Sequence, residues 1–203
     1  MLAPWNKNVV VGRKSPLSAE EVKLLKLSIK LTGNKRDELL LHLAIDTSLR
    51  GVDLVKLKVK DICDSSLKVK EYFYIKQSKT SKNVMCNLSE DSRKMALAYI
   101  LDNQLETDCY LFTSLYKVKD NAKHLTPHHY RELIKKWLKN AGLDQRRYTS
   151  HSLRRTRISY IYKQTGNLRA CQMLLGHSSI LNTALYLGVE EMEALEVAQQ
   201  HYI

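Results

Sequence analysis

The stretch HSLRRTRISYIYKQTG, residues 151–166, decides how the rest of the chain is read. On a helical wheel His151, Arg154, Ile158, Ile161 and Tyr162 fall on one side. Gly166 then closes the helix as a left-handed residue just past its last turn. Arg154 sits angularly between the two isoleucines, Arg155 lies at the flank, and Arg157 is further round. His151 and Arg154 are therefore expected to look into the fold, with the other two leaning toward solvent. Charges seldom face inward without a partner. Either the stretch is an ordinary basic helix face, or the two inward cations share an anion, and a phosphate suits guanidinium geometry.

Working outward, most of the chain carries helical signals. LSAEEVKLLKLSIKL (17–31) has Ser18 as an N-cap with Glu21 three residues on, a capping box. Val22, Leu25 and Ile29 form its apolar stripe, with Leu24 beside them. RDELLLHLAIDTSL (36–49) is apolar through its middle and reads as buried. Ser89 caps a helix running to about 102. Thr126-Pro127 starts another that ends near Gly142. LRACQMLLGH is short, and helices over 180–187 and 190–200 complete the chain. Between these lie three alternating stretches, VKLKVKDI (55–62), KVKEYFYIKQ (68–77) and NVMCNLSE (83–90), with SKTSK as a hairpin turn. The expectation is an α+β domain, predominantly α-helical, with a small three-stranded antiparallel sheet. Residues 1–17 form a polar lead-in and 18–203 a single domain.

Composition narrows the partner. Lys and Arg total 33 against 21 acids, a net charge of +12, which favours a polyanion. Apolar residues make up 44% of the chain, enough for a core, and only 7 Gly and 3 Pro are present. The 4 cysteines, at 63, 86, 109 and 171, contain no CxxC pair, so reduced thiols are expected rather than zinc or disulfides. No apolar run has signal-peptide or membrane-span length, and a cytoplasmic protein is expected.

Three further motifs join the first. TSLRGVDLVKL places Arg50 at the end of a buried helix with Asp53 three residues on. QSKTSK presents Lys79 in the hairpin turn, with Lys76 and Lys82 nearby. LLGHSSILNTALY places His177 nine residues before Tyr186. Together with HSLRRT, and in this order, these resemble the catalytic domain of the tyrosine recombinases, the phage-integrase family. The resemblance spans residues 46–186. Family members commonly have a glycine at the position of Ser48 and a glutamate at that of Asp53, and Gly51 is a further mild departure.

The resemblance implies roles. Arg50 and Arg154 would clamp a scissile DNA phosphate, and Lys79 would protonate the departing 5′ oxygen. His151 would assist proton transfer, His177 would hydrogen-bond the phosphate, and Tyr186 would be the nucleophile. The product is a 3′-phosphotyrosyl intermediate, with Asp53 holding the first arginine motif in place. No metal and no cofactor are implied. The chemistry is consistent from below: preorganised cations stabilise charge gathering on phosphate oxygens. A tyrosine with pKa near 10 needs nearby arginines and a base to attack at neutral pH.

Other residues are weighed against these. Tyr72, Tyr74, Tyr160 and Tyr162 read as packing residues, and Tyr148 as a DNA contact without support. His124, His128 and His129 lack the further ligands a metal site needs. Arg131, Lys135, Lys136 and Lys139 form a charged helix face, either merely solvated or in contact with DNA. In the tail, Met192, Leu195 and Ala198 form a stripe rimmed by Glu190, Glu191, Glu193 and Glu196. The resemblance implies that this helix docks on a neighbouring protomer in a tetramer on double-stranded DNA, with accessory DNA-bending proteins as further partners. The first helix begins right after Ser18, leaving no room for the N-terminal domain that clamps DNA in most members. The alternatives are a naturally short protein, like the fimbrial inversion recombinases, or an isolated domain. The rival functions are a non-cleaving DNA-binding or regulatory relative and a type IB topoisomerase. Target site and recombination outcome are not legible.

Overall fold

A computed structural model describes residues 14–114, 123–188 and 199. Helix α2 (Lys35–Thr47) runs through the middle, with every residue from Leu39 to Ile45 buried. It packs against α1 (Ala19–Leu31), α5 (Glu90–Asp102) and α7 (Ser150–Thr165). The capping box of α1 forms as expected: Ser18 Oγ accepts from Glu21 N at 3.1 Å and Ser18 N donates to Glu21 Oε2 at 2.8 Å. Leu25 and Ile29 turn inward, whereas Leu24 stays outside. Helix α6 (Pro127–Asn140) starts at Thr126, whose hydroxyl accepts from His129 N. Its Trp137 Nε1 donates to Asp37 Oδ2 at 2.9 Å in the interior, pinning α6 to α2.

The sheet has two strands. β1 (Tyr72–Lys76) pairs antiparallel with β2 (Asn83–Asn87), placing Tyr74 opposite Met85. The expected third strand, 55–62, does not join them. Its alternation is real, since Val55, Leu57 and Val59 are all buried. Its backbone instead bonds the 107–111 segment, through Leu111 N to Leu57 O at 2.8 Å and Val59 N to Cys109 O at 3.1 Å. Asp61 accepts from Lys58 N at 2.8 Å and turns the chain into the short helix α4 (Val59–Ile62). Tyr72, Tyr74 and Tyr160 are exposed rather than packed, because each points away from the core on its element.

Two backbone positions explain departures from the family pattern. Ser48 ends α2 in the left-handed region at φ 49°, where glycine carries no steric cost. Gly51 opens the short helix α3 (Gly51–Leu54), and a Cβ there would lie 3.0 Å from the Tyr130 ring. α8 (Leu168–Leu175) and α9 (Ile180–Leu187) close the described part of the domain. The tail stripe at 190–198 lies outside the described residues. No described helix is long and apolar enough to cross a membrane.

Candidate active site

Arg50 stands just before α3, where α2 has ended in the left-handed turn at Ser48. Its Nη1 donates to Gln77 Oε1. Gln77 continues the inward-facing series Phe73, Ile75 of β1 and is fully buried. Its Nε2 donates to the carbonyl of Leu175 at 3.1 Å, and Arg154 Nη2 donates to the same carbonyl at 2.9 Å. Leu175 is the last residue of α8, so its oxygen has no partner within the helix. The two arginines are thus tied to one frame although about a hundred residues separate them.

The hairpin turn is fixed from both sides of Lys79. Ser78 N donates to Asp53 Oδ1 at 2.8 Å, and Thr80 Oγ1 donates to Gln77 Oε1 at 2.9 Å. Asp53 therefore joins the Arg50 helix to the turn that presents Lys79. Arg50, Lys79, His151 and Arg154 line one cleft of about 520 Å³, together with Lys56 and Arg131. Lys76 and Lys82 are not among its lining residues.

His177 is set by the end of α8. Gly176 adopts φ +67°, while Gly176 N donates to Met173 O and His177 N to Gln172 O, a paired left-handed helix ending. The His177 ring meets Tyr186 edge-on at 5.3 Å, and its Nδ1 lies 3.1 Å from Thr183 Oγ1. Tyr186 reaches the cluster through the guanidiniums: Arg154 Cζ is 5.9 Å and Arg155 Cζ 5.3 Å from its ring centre. Neither His177 nor Tyr186 lines the cleft. The Tyr186 hydroxyl is buried and has no hydrogen-bond partner among the described residues.

Burial dominates the electrostatics. It holds His177 down at about 4, helped by the charges of Arg154 and Arg50. His151, though exposed at the cleft, is lowered by the partial desolvation of its ring, then by Arg154, Arg50 and Lys79. Both rings are thus neutral near pH 7 and able to accept a proton. Burial also brings Arg154 to about 10. The arginines were expected to favour the Tyr186 phenolate. Instead burial raises the phenol, outweighing the opposite pull of Arg154, Arg155 and Arg50.

The helical wheel of 151–162 needs correction in three places. His151 is exposed at the cleft, and Arg155 is buried. Arg155 Nη1 donates to Lys14 O at 2.7 Å and Nη2 to Leu187 O at 3.4 Å. Arg157 bonds Asp46 O and Asn87 Oδ1. α7 is covered on both flanks, which a single-face wheel does not anticipate. Tyr148 is also buried, its hydroxyl bonded to Glu21. Lys135, Lys136 and Lys139 are exposed on α6, with Lys135 paired to Glu132 at 2.9 Å. Two further residues shape the site, Gln77 and Lys56. Gln77 is a polar residue on the buried phase of an alternating strand, which was a usable signal. Lys56, near the end of α3, had none.

The sequence model of the phage integrase family matches residues 16–193. The chain belongs to the phage integrase family. It is 30% identical over 193 residues to a tyrosine recombinase of Pseudothermotoga lettingae, covering 94% of this chain and 62% of that protein. The crystal structure of XerA recombinase aligns with a TM-score of 0.72 at 24% identity, covering 95% of this chain and 66% of that one. A lambda integrase tetramer bound to a Holliday junction aligns at 0.61 and 22% identity, covering 86% and 48%. These structural likenesses carry the fold. The chain thus spans about three fifths of the length of the curated relative named here.

Proposed function

We propose that this phage integrase domain is the catalytic part of a site-specific recombinase that cleaves and rejoins double-stranded DNA through Tyr186. The observation that carries this reading is the joint anchoring of Arg50 and Arg154 on the Leu175 carbonyl frame, with Arg154 5.9 Å from the Tyr186 ring and both arginines on a cleft that also holds Lys79 and His151. The phosphate would lie against the two guanidiniums. Tyr186 Oη attacks phosphorus, and its proton passes to His151. The P–O5′ bond breaks, and Lys79 gives a proton to the leaving oxygen. His177 donates to a non-bridging oxygen. The bond energy stays in the phosphotyrosyl ester, so a 5′-hydroxyl reverses the step and no metal or cofactor enters it. Arg131, Lys135, Lys136 and Lys139 extend the positive surface along α6 for DNA backbone contact.

Assembly on DNA as a tetramer is part of the same proposal, through the 190–203 segment. A groove of about 480 Å³ lined by Leu17, Val22, Ile45 and Tyr160 and rimmed by Lys23, Lys26 and Lys163 suits the Met192–Leu195 stripe and its glutamates. Deleting residues 190–203 should weaken assembly on DNA and leave cleavage chemistry in place; unchanged assembly would remove this part. One observation favours a second reading, a non-cleaving DNA binder: the buried Tyr186 hydroxyl lies off the cleft lining. The deciding experiment incubates the chain with a pool of nicked duplexes, digests with nuclease and searches the Tyr186 peptide for a nucleotide adduct. An adduct absent from Tyr186→Phe supports the recombinase. Tight DNA binding without an adduct supports the binder.

A further inference from the structure

Gln77 makes three side-chain hydrogen bonds within the cluster. Its Oε1 accepts from Arg50 Nη1 and Thr80 Oγ1, and its Nε2 donates to Leu175 O. The orientation of the amide is fixed by chemistry. A guanidinium only donates and a carbonyl only accepts, so a flipped amide would set donor against donor and acceptor against acceptor. Gly176 packs on the same amide, since a Cβ there would lie 3.2 Å from Nε2. One side chain therefore joins the Arg50 guanidinium, the Lys79 turn and the α8 end from which His177 follows.

Neutrality is the second feature. Arg50 shares the cleft with Lys56, Lys79, Arg131 and Arg154, and no carboxylate lines it among the described residues. Asp53, the nearby acid, spends Oδ1 on the backbone of Ser78. A carboxylate at 77 would hold Arg50 equally well but cancel its charge, and its second oxygen would face the Leu175 carbonyl. An amide aims the guanidinium while leaving its full charge for an anion.

The geometry points to Gln77 as the positioning residue that aims Arg50 at the phosphate and locks the Lys79 turn to the His177 turn, its amide preserving the positive charge of the cleft. This rests on the recombinase reading for its purpose, but anion capture by Arg50 can be measured without DNA cleavage. The full chain, labelled with 15N-arginine, is titrated with inorganic phosphate while the arginine Nε–Hε resonances are followed. Arg50→Ala identifies the Arg50 signal, and Arg157, bonded to Asp46 and Asn87, reports on the fold. Gln77→Met keeps the volume and removes the bonds. It should displace the Arg50 signal and weaken phosphate binding on the order of tenfold, with the Arg157 signal unmoved. Gln77→Glu should keep Arg50 ordered and weaken phosphate binding more strongly than Gln77→Met. If one variant does not fold, the other decides. An Arg50 signal indifferent to phosphate in the wild type, or phosphate binding unchanged in a folded variant, overturns the inference. Absence of a Tyr186 adduct in the nicked-duplex experiment would overturn the recombinase reading instead, so the two failures are distinct.

Discussion

Replacing Tyr186 by phenylalanine should make the protein more stable while abolishing any strand cleavage. The Tyr186 hydroxyl is buried without a partner among the described residues. Burying an unsatisfied hydroxyl costs about 1–3 kcal/mol. Phenylalanine removes that cost and keeps the ring, with its contacts to His177 at 5.3 Å, Arg155 at 5.3 Å and Arg154 at 5.9 Å. Loss of the small dispersion contribution of one oxygen offsets part of the gain. The net expectation is about 1–2 kcal/mol, or a Tm rise of about 3–6 °C for a chain of this size. Urea unfolding at pH 7.5, followed by tryptophan fluorescence, measures it. Burial raises the Tyr186 phenol in the fold, so its ionisation favours the unfolded chain once pH passes the ordinary tyrosine value near 10. The wild type should therefore lose stability relative to Tyr186→Phe above that pH. A variant equal to or weaker than wild type at pH 7.5 would refute the reasoning, because it would show that the hydroxyl is satisfied in solution.

Gly176→Ala should cost more than about 2 kcal/mol, read as a fall in urea midpoint, because φ is +67° and the new Cβ would lie 2.3 Å from Val84 Cγ2. His42 and His177 are both held at about 4 by burial, so the folded state takes up protons later than the unfolded one. Their contribution is complete above pH 6.5 and is lost as pH falls toward 4; His42→Gln should flatten the acid limb of a stability–pH curve. Trp137→Phe removes the 2.9 Å donor to buried Asp37 and should destabilise by about 1–3 kcal/mol in the same urea assay, with cleft residues untouched.

Much of the architecture was legible because its signals are local. Ser18, Ser89 and Thr126 each cap the helix their spacing announced, and Gly166 ends α7 in the left-handed region. The expected third strand does not join the sheet because alternation reports a buried edge but not its partner: Leu57 and Val59 bond the loop at 107–111 rather than the hairpin. In the site, motif order brought Arg50, Lys79, His151 and Arg154 to one cleft. What remained hidden was non-local. Arg155 is buried because Lys14 and Leu187, more than a hundred residues apart, both converge on it. Likewise the phenol of Tyr186 is governed by how deeply it is enclosed, which residue spacing does not encode.

The clasp at Arg155 has a mechanical meaning. A single guanidinium holds the backbone at Lys14, ahead of α1, and at Leu187, where α9 ends. It also stacks against the ring of the residue preceding Leu187. Tension applied along either flank is therefore delivered to the same few atoms, one covalent step from Tyr186. Load on the backbone at Lys14 and load on the backbone at Leu187 thus meet at one guanidinium, beside the proposed nucleophile.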